Sequence, residues 1–180
     1  MKITILHKSD VVASEWDGGK TYEYFIYPPE SNYSERNFLF RISSASIDKV
    51  PSQFTRFENY QRYLVMLDNS LELVRNGNTE RYEKHELFTF DSNDAIVSSS
   101  LGTDFNLMVC NKYSRTKLEV SKGNLKTSQQ FILCFALTDM IFYLDNDEIS
   151  LRKNDLLVVH NMERNLISTN SSDICILGFI

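Results

Sequence analysis

Apolar and polar residues alternate along most of this chain, in short runs that stop at Asn, Asp, Gly or Ser. "TYEYFIYP", "NFLFRIS", "YLVMLD", "SLELVRN", "ELFTF", "AIVSSS", "DFNLMVC", "MIFYLD", "EISLR" and "ICILGFI" all read this way. Side chains on a β-strand point alternately to its two faces, so this period predicts strands with one buried face. The runs are rich in Phe, Tyr, Ile and Val, which suits a pleated, half-buried surface. No long stretch carries the spacing of an amphipathic helix. "SIDKVPSQFTRFENY" allows at most a short helical turn, and Pro51 interrupts it. Many short strands with turn residues between them predict an all-β protein, a sandwich or barrel.

Two segments run in step. "LELVRNGNTERYEKHELFTFDSNDAIVSSSLGTDFNLMV" begins at Leu71, and "MIFYLDNDEISLRKNDLLVVHNMERNLISTNSSDICILG" begins at Met140. Without a gap, Glu86 meets Asp155, Leu87 meets Leu156 and Phe88 meets Leu157. Further on, Asp104 meets Asp173, Asn106 meets Cys175 and Met108 meets Leu177. Glu72 against Ile141 and Arg75 against Leu144 do not agree, so two unrelated meanders are the competing account. Strand, Asn or Gly turn, strand, then an acidic residue before an apolar strand resembles a cupin repeat, and two copies imply a bicupin. The polar stretch "KYSRTKLEVSKGNLKTSQQ" is the best boundary. The expected division is therefore a first repeat with N-terminal strands over 1–111 and a second over 112–180.

Composition narrows the function classes. Hydrophobic residues make up 42%, enough for a real core. Lys and Arg total 19 against 24 Asp and Glu, a net charge of −5. That balance argues against nonspecific binding to nucleic acid or anionic membrane. The longest apolar run, "FILCFAL", is far shorter than the roughly 20 residues of a membrane span, and "MKITILHKSD" is too poor in apolar residues for a signal peptide. Cys110, Cys134 and Cys175 are odd in number and widely spaced, which fits free thiols in a reducing cytoplasm.

Chemistry is sparse. His7, His85 and His160 form no paired motif, so no histidine-based metal site and no cofactor are expected. GxSxG, GxGxxG and P-loop patterns are absent. What stands out are polar groups inside apolar strands. Leu39, Arg41 and Ser43 share a face of one strand, Arg62, Leu64, Met66 and Asp68 a face of another, and Asp104, Asn106 and Met108 a face of a third. Pointed at one concave surface, they would make a small polar pocket in an apolar cup. Arginine can grip a carboxylate bidentately, and Asp and Asn can orient the rest of a ligand. The competing account is an internal Arg41–Asp104 salt bridge, or solvated faces.

"EWDGGKTYEYFIYPP", "NFLFRISSASI", "PSQFTRFENYQRYLVMLDNSLEL", "FTFDS" and "GTDFNLMV" follow in an order that resembles the HutD/Ves family. The elements are Trp16, Gly18, Gly19, Thr21 and Glu23; Arg41, Ile42 and Ser43; Phe54 and Thr55; Arg62; Phe90 and Asp91; and Asp104, Phe105, Asn106 and Met108. The resemblance covers roughly residues 12 to 110. It implies a metal-poor bicupin linked to histidine utilisation in some members and to stress response in others. A regulatory role with a formylated or carboxylate ligand goes with the histidine-linked members. This chain departs from the pattern at Asp17-Gly18-Gly19-Lys20 and at Glu58-Asn59.

The reading is a non-catalytic binder of a small carboxylate metabolite. Arg41 and Arg62 would anchor the anion, and Thr21, Glu23, Ser43, Asp104 and Asn106 would complete the site. Gly18 and Gly19 would let the rim bend, so alanine there should harm binding more than folding. The alternative is a metal-independent enzyme acting on a sugar or amino-acid derivative, with Glu23 or Asp104 as general base. A third reading is an assembly through an exposed strand edge, and a homodimer is left open.

Overall fold

A computed structural model describes residues 1–113 and 115–180. The described residues are all-β apart from a single 3-10 turn at Lys8–Asp10. Its strands are β1 (Lys2–Leu6), β2 (Ala13–Trp16), β3 (Gly19–Tyr27), β4 (Phe40–Ile47), β5 (Ser52–Gln53), β6 (Tyr60–Met66) and β7 (Leu71–Arg75). There follow β8 (Asn78–Tyr82), β9 (Leu87–Asp91), β10 (Ile96–Ser98), β11 (Gly102–Cys110), β12 (Lys117–Ser121) and β13 (Leu125–Thr127). The last six are β14 (Phe131–Ala136), β15 (Met140–Leu144), β16 (Asp147–Leu151), β17 (Leu156–His160), β18 (Ile167–Ser171) and β19 (Cys175–Phe179). The segment around Pro51 that allowed a helical turn holds β5 instead. Among the described residues no helix is long and apolar enough to cross a membrane.

The chain divides into two compact units, Val12–Ser114 and Met1–Val11 with Arg115–Ile180. The first eleven residues go with the second unit because β1 pairs antiparallel with β17, Ile3 opposite Val159 and Ile5 opposite Leu157. Asp155 locks this arrangement: it accepts from His7 Nδ1 at 2.9 Å and from the backbone N–H groups of Lys8 and Arg152.

Each unit is a pair of antiparallel sheets. In the first, a six-stranded sheet runs β2-β3-β4-β11-β6-β9 and a four-stranded sheet runs β5-β10-β7-β8. Leu64, Met66, Phe88 and Phe90 of the former pack on Leu71, Leu73 and Ile96 of the latter. In the second unit the sheets run β1-β17-β14-β19-β12 and β13-β18-β15-β16. The smaller sheets correspond throughout, and in the larger ones β4, β11, β6 and β9 are matched by β12, β19, β14 and β17, while β1, β2 and β3 have no counterpart. Turn geometry repeats too. Asn76 and Asp145, at φ 49° and 53°, open equivalent hairpins, and His85 and Asn154, at φ 66° and 69°, precede β9 and β17. Asn76-Gly77, with Gly77 at φ 88°, supplies the two left-handed residues that a tight hairpin between right-twisted strands needs.

The gapless correspondence holds from β7 through β9 and then fails. The loop after β17, residues 161–166, is longer than the one after β9, residues 92–95. Asn161 braces it, donating from Nδ2 to the Asn165 and Gln129 carbonyls and accepting from the Asn165 N–H. Ladder hydrogen bonds set the true register. Asn106 lies opposite Leu64, which lies opposite Phe88; Leu177 lies opposite Cys134, which lies opposite Leu157. Asp104, Asn106 and Met108 therefore correspond to Cys175, Leu177 and Phe179, and Arg62 corresponds to Ile132. Asp173 lies outside the strands and does not match Asp104.

Phe88 is fully buried and stacks on Phe90 at 4.6 Å between ring centroids. Phe88→Ala should destabilise the protein by about 3–5 kcal/mol. Urea denaturation followed by fluorescence checks this; a loss under about 1 kcal/mol would mean that the two sheets do not share this core.

Candidate functional site

Strand register brings the polar set together. On the inward face of the six-stranded sheet, Asp104 sits between Ala45 and Met66, Asn106 between Ser43 and Leu64, and Met108 between Arg41 and Arg62. Thr21 of β3 lies opposite Ala45, and Glu23 opposite Ser43. Directly opposed residues share a face, so these side chains converge. All of them but Glu23 and Met66 line a cavity of about 260 Å³, joined by Trp16, Tyr33, Phe54 and Thr55. Thr21, Arg41, Ser43, Arg62, Asp104 and Asn106 all reach its wall.

Glu23 does not line the cavity; it acts on it through Arg41. Arg41 Nε donates to Glu23 Oε2 at 2.6 Å and Nη1 to Ser43 Oγ at 3.1 Å, while the guanidinium lies 4.3 Å from the Tyr33 ring centroid. A β-bulge between Glu23 and Phe25 ends the regular register beside this pair. The internal Arg41–Asp104 bridge is thereby overturned, since Arg41 is already held by Glu23.

Arg62 is in a different state. Its guanidinium lies between Phe54 and Phe90, 5.5 and 5.0 Å from their centroids. Nη1 makes one long bond to the Thr55 carbonyl at 3.4 Å, and Nε is buried without a partner. Burial lowers its pKa, opposed by Tyr33 and Asp104, yet an arginine so placed keeps its charge. Asp104 is 4% exposed and its Oδ1 accepts the Ala45 N–H at 3.2 Å. Desolvation pushes its pKa up to about 7, against the pull of the Ala45 N–H and of Arg62. Asn106 Oδ1 is buried with no partner. The cavity thus holds one arginine neutralised by a carboxylate, one arginine with a single long hydrogen bond, an acid whose pKa burial raises and an amide oxygen without a partner.

Tyr33 was not legible in the strand pattern. It lies in the 28–39 connection, shaped by Asn32 Oδ1, which accepts from Ser34 Oγ and the Glu35 N–H. Tyr33 packs on Phe57 at 5.0 Å and so projects over Arg41. The glycine pair has a packing role. Trp16 lies opposite Gly19 across the β2–β3 turn. A Cβ on Gly18 would lie 2.0 Å from the Trp16 ring; one on Gly19, at φ 154°, would lie 1.8 Å from the Ser46 carbonyl oxygen. The expectation that alanine at both positions would harm binding more than folding does not extend to Gly19, where backbone blocks any side chain.

Histidines take no part in the cavity. His7 pairs with Asp155, His85 occupies a left-handed turn, and His160 stacks on Phe131. Among the described residues no group of three or more His, Cys, Asp and Glu comes together as a metal site would require.

The HutD family profile matches residues 8–176. The chain belongs to the HutD family. HutD from Pseudomonas fluorescens SBW25, in a formate condition, superposes with a TM-score of 0.83 at 20% identity, covering 99% of this chain and 97% of that one. A conserved protein of unknown function from Pseudomonas aeruginosa PAO1 gives the same values. A cupin 2 conserved barrel domain protein from Leptotrichia buccalis matches at TM-score 0.61 and 11% identity, over 100% of this chain and 98% of that one. The fold of this HutD-family chain is thus cupin-like. No match is found among curated proteins.

Two outcomes follow. Gly19→Ala should lower the melting temperature well beyond Gly18→Ala, because the half-exposed Trp16 ring can move while Ser46 cannot; equal losses by differential scanning fluorimetry would refute the distinction. Asp104 gives a signed pH dependence. Its folded pKa is above the unfolded value of 3.8, so between about pH 4 and 7 the folded state holds the proton more tightly. Stability from this group is full below that window and falls as pH rises through it. Asp104→Asn should flatten the decline in melting temperature from pH 4 to 7, and an unchanged slope would show that Asp104 ionises as it does in the unfolded chain.

Proposed function

We propose that this HutD-family protein is a non-catalytic binder of a small carboxylate-bearing metabolite, acting through the cavity of its first unit. The observation that carries this reading is Arg62, a buried guanidinium at the cavity wall with a single long hydrogen bond and a free Nε. A carboxylate is the planar acceptor that such a group lacks. Trp16, Tyr33 and Phe54 supply the apolar walls that small-molecule sites combine with a few convergent polar groups. Arg41, fixed by Glu23 and Ser43, is a second donor already oriented. Family membership suggests histidine utilisation or stress response as the setting, with the protein reporting a metabolite level. We read the two matching units as a bicupin in which the first repeat carries the site.

One feature favours the enzyme instead. Burial pushes the Asp104 pKa up to about 7, in the range where a general acid or base works best. Glu23 does not serve that role, because Arg41 occupies it.

A thermal-shift screen tests the binder. The panel is histidine, urocanate, formiminoglutamate, formylglutamate, glutamate, formate, acetate and benzoate, with Arg62→Met alongside. A ligand at about 100 times its Kd stabilises by about 2.7 kcal/mol, a shift of several degrees. At least one carboxylate should give that shift in the wild type and lose most of it in Arg62→Met. No shift with any of them overturns the reading, and turnover of a panel member would favour the enzyme.

A further inference from the structure

Resting on the binder reading, we infer that Asp104 receives the ligand as a neutral acid, so that the first-unit cavity takes up a carboxylate together with one proton. Among the described residues the ionisable groups on the cavity wall are Tyr33, Arg41, Arg62 and Asp104. Arg41 is balanced by Glu23 of β3 at 2.6 Å, so that pair brings no net charge. What remains is Arg62 from β6 and Asp104 from β11. With both ionised, the cavity is neutral, and an entering carboxylate meets the Asp104 carboxylate at close range. With Asp104 protonated, the cavity carries one positive charge for a single negative one.

Hydrogen bonding leads to the same assignment. Asp104 Oδ1 is committed to the Ala45 N–H of β4. Among the described residues its other oxygen has no hydrogen-bond donor, and Asp104 is part of the cavity wall. As a hydroxyl, that oxygen can donate to a ligand carboxylate; as an oxygen anion it can only repel one. Other groups facing Asp104 do not change the balance. Asp68, beyond the end of β6, accepts the Thr103 N–H and hydroxyl, and its charge further favours the neutral form. The segment Ser52–Thr55 lines the cavity with no charge at all. Near pH 7 the acid is divided between its two forms, so ligand entry draws a proton from solvent.

Isothermal titration calorimetry with benzoate and with acetate tests this, at about pH 6 and about pH 8. Both probes keep a constant charge over that range. If only the protonated site binds, the competent fraction falls about tenfold between the two pH values, and Kd rises by about the same factor. Repeating the pH 8 titration in buffers of different ionisation enthalpy should show uptake of about one proton. Asp104→Asn keeps an oxygen for the Ala45 N–H and a permanent donor for the ligand. It should bind with the pH 6 affinity at both pH values. Wild-type Kd that is equal at both pH values with no proton uptake overturns the inference while leaving the binder intact. So does an Asp104→Asn variant that keeps the full pH dependence. Binding of neither probe at either pH also overturns the inference, and the binder reading then stands or falls on the wider panel above. The proton count in the wild type decides the matter even if the variant fails to fold.

Discussion

Two guanidinium groups held in one row of a sheet govern this site. Arg41 and Arg62 flank Met108 on adjacent strands, about 10 Å apart by strand spacing, both nearly inaccessible to solvent. Like charges so placed must be compensated where they stand, since burial without partners is strongly unfavourable. The fold compensates them unequally. Arg41 has a carboxylate, a hydroxyl and an aromatic face. Arg62 has two aromatic faces, one carbonyl and an acid whose pKa burial raises. The rest of the site follows from that asymmetry: the bulge that ends the run carrying Glu23, the connection that lays Tyr33 over Arg41, and the raised affinity of Asp104 for its proton.

The second unit shows what the same sheet order does without charges. At the positions of Arg62, Asp104, Asn106 and Met108 it places Ile132, Cys175, Leu177 and Phe179, all in one apolar cluster with Phe142 and Val159. Lys117, on the edge strand opposite Phe179, is exposed and pairs with Glu119. Cys134 and Cys175 are buried thiols; burial pushes the Cys134 thiol up. One copy of the scaffold is filled by hydrophobic side chains, and the other keeps a polar-lined cavity.

Much of this was legible from alternation alone. A strand reverses its side chains at every residue, so Asp104, Asn106 and Met108 had to share a face, as did Arg41 with Ser43 and Arg62 with Leu64. Whether those faces met depended on strand order, which alternation does not encode, though the repeat pointed to a cupin-like order. Glu23 was found but misplaced, because its reach to Arg41 is set by a local bulge. Tyr33 carried no periodic signal; its position depends on Asx hydrogen bonds within an irregular connection. The gapless repeat misled past β9, because a change in loop length leaves strand composition intact while moving every later residue to a new partner. The placement of β1 in the second unit was hidden for a related reason: an edge strand's partner is a long-range choice among similar apolar strands.

The contrast between the units bears on why the first stays hollow. A buried donor or acceptor left without a partner costs about 1–3 kcal/mol, and Arg62 Nε and Asn106 Oδ1 are both in that condition. Large side chains at corresponding register positions are compatible with this scaffold, as Ile132, Leu177 and Phe179 demonstrate. Stability alone would favour the filled version, since replacing buried charges by packed apolar residues is often neutral or stabilising. Polar groups kept underused in one copy and absent from the other are therefore poorly explained by folding. The ligand proposed above accounts for them, and Arg62 has the leading part in that proposal because it lacks the counter-ion that Arg41 has in Glu23.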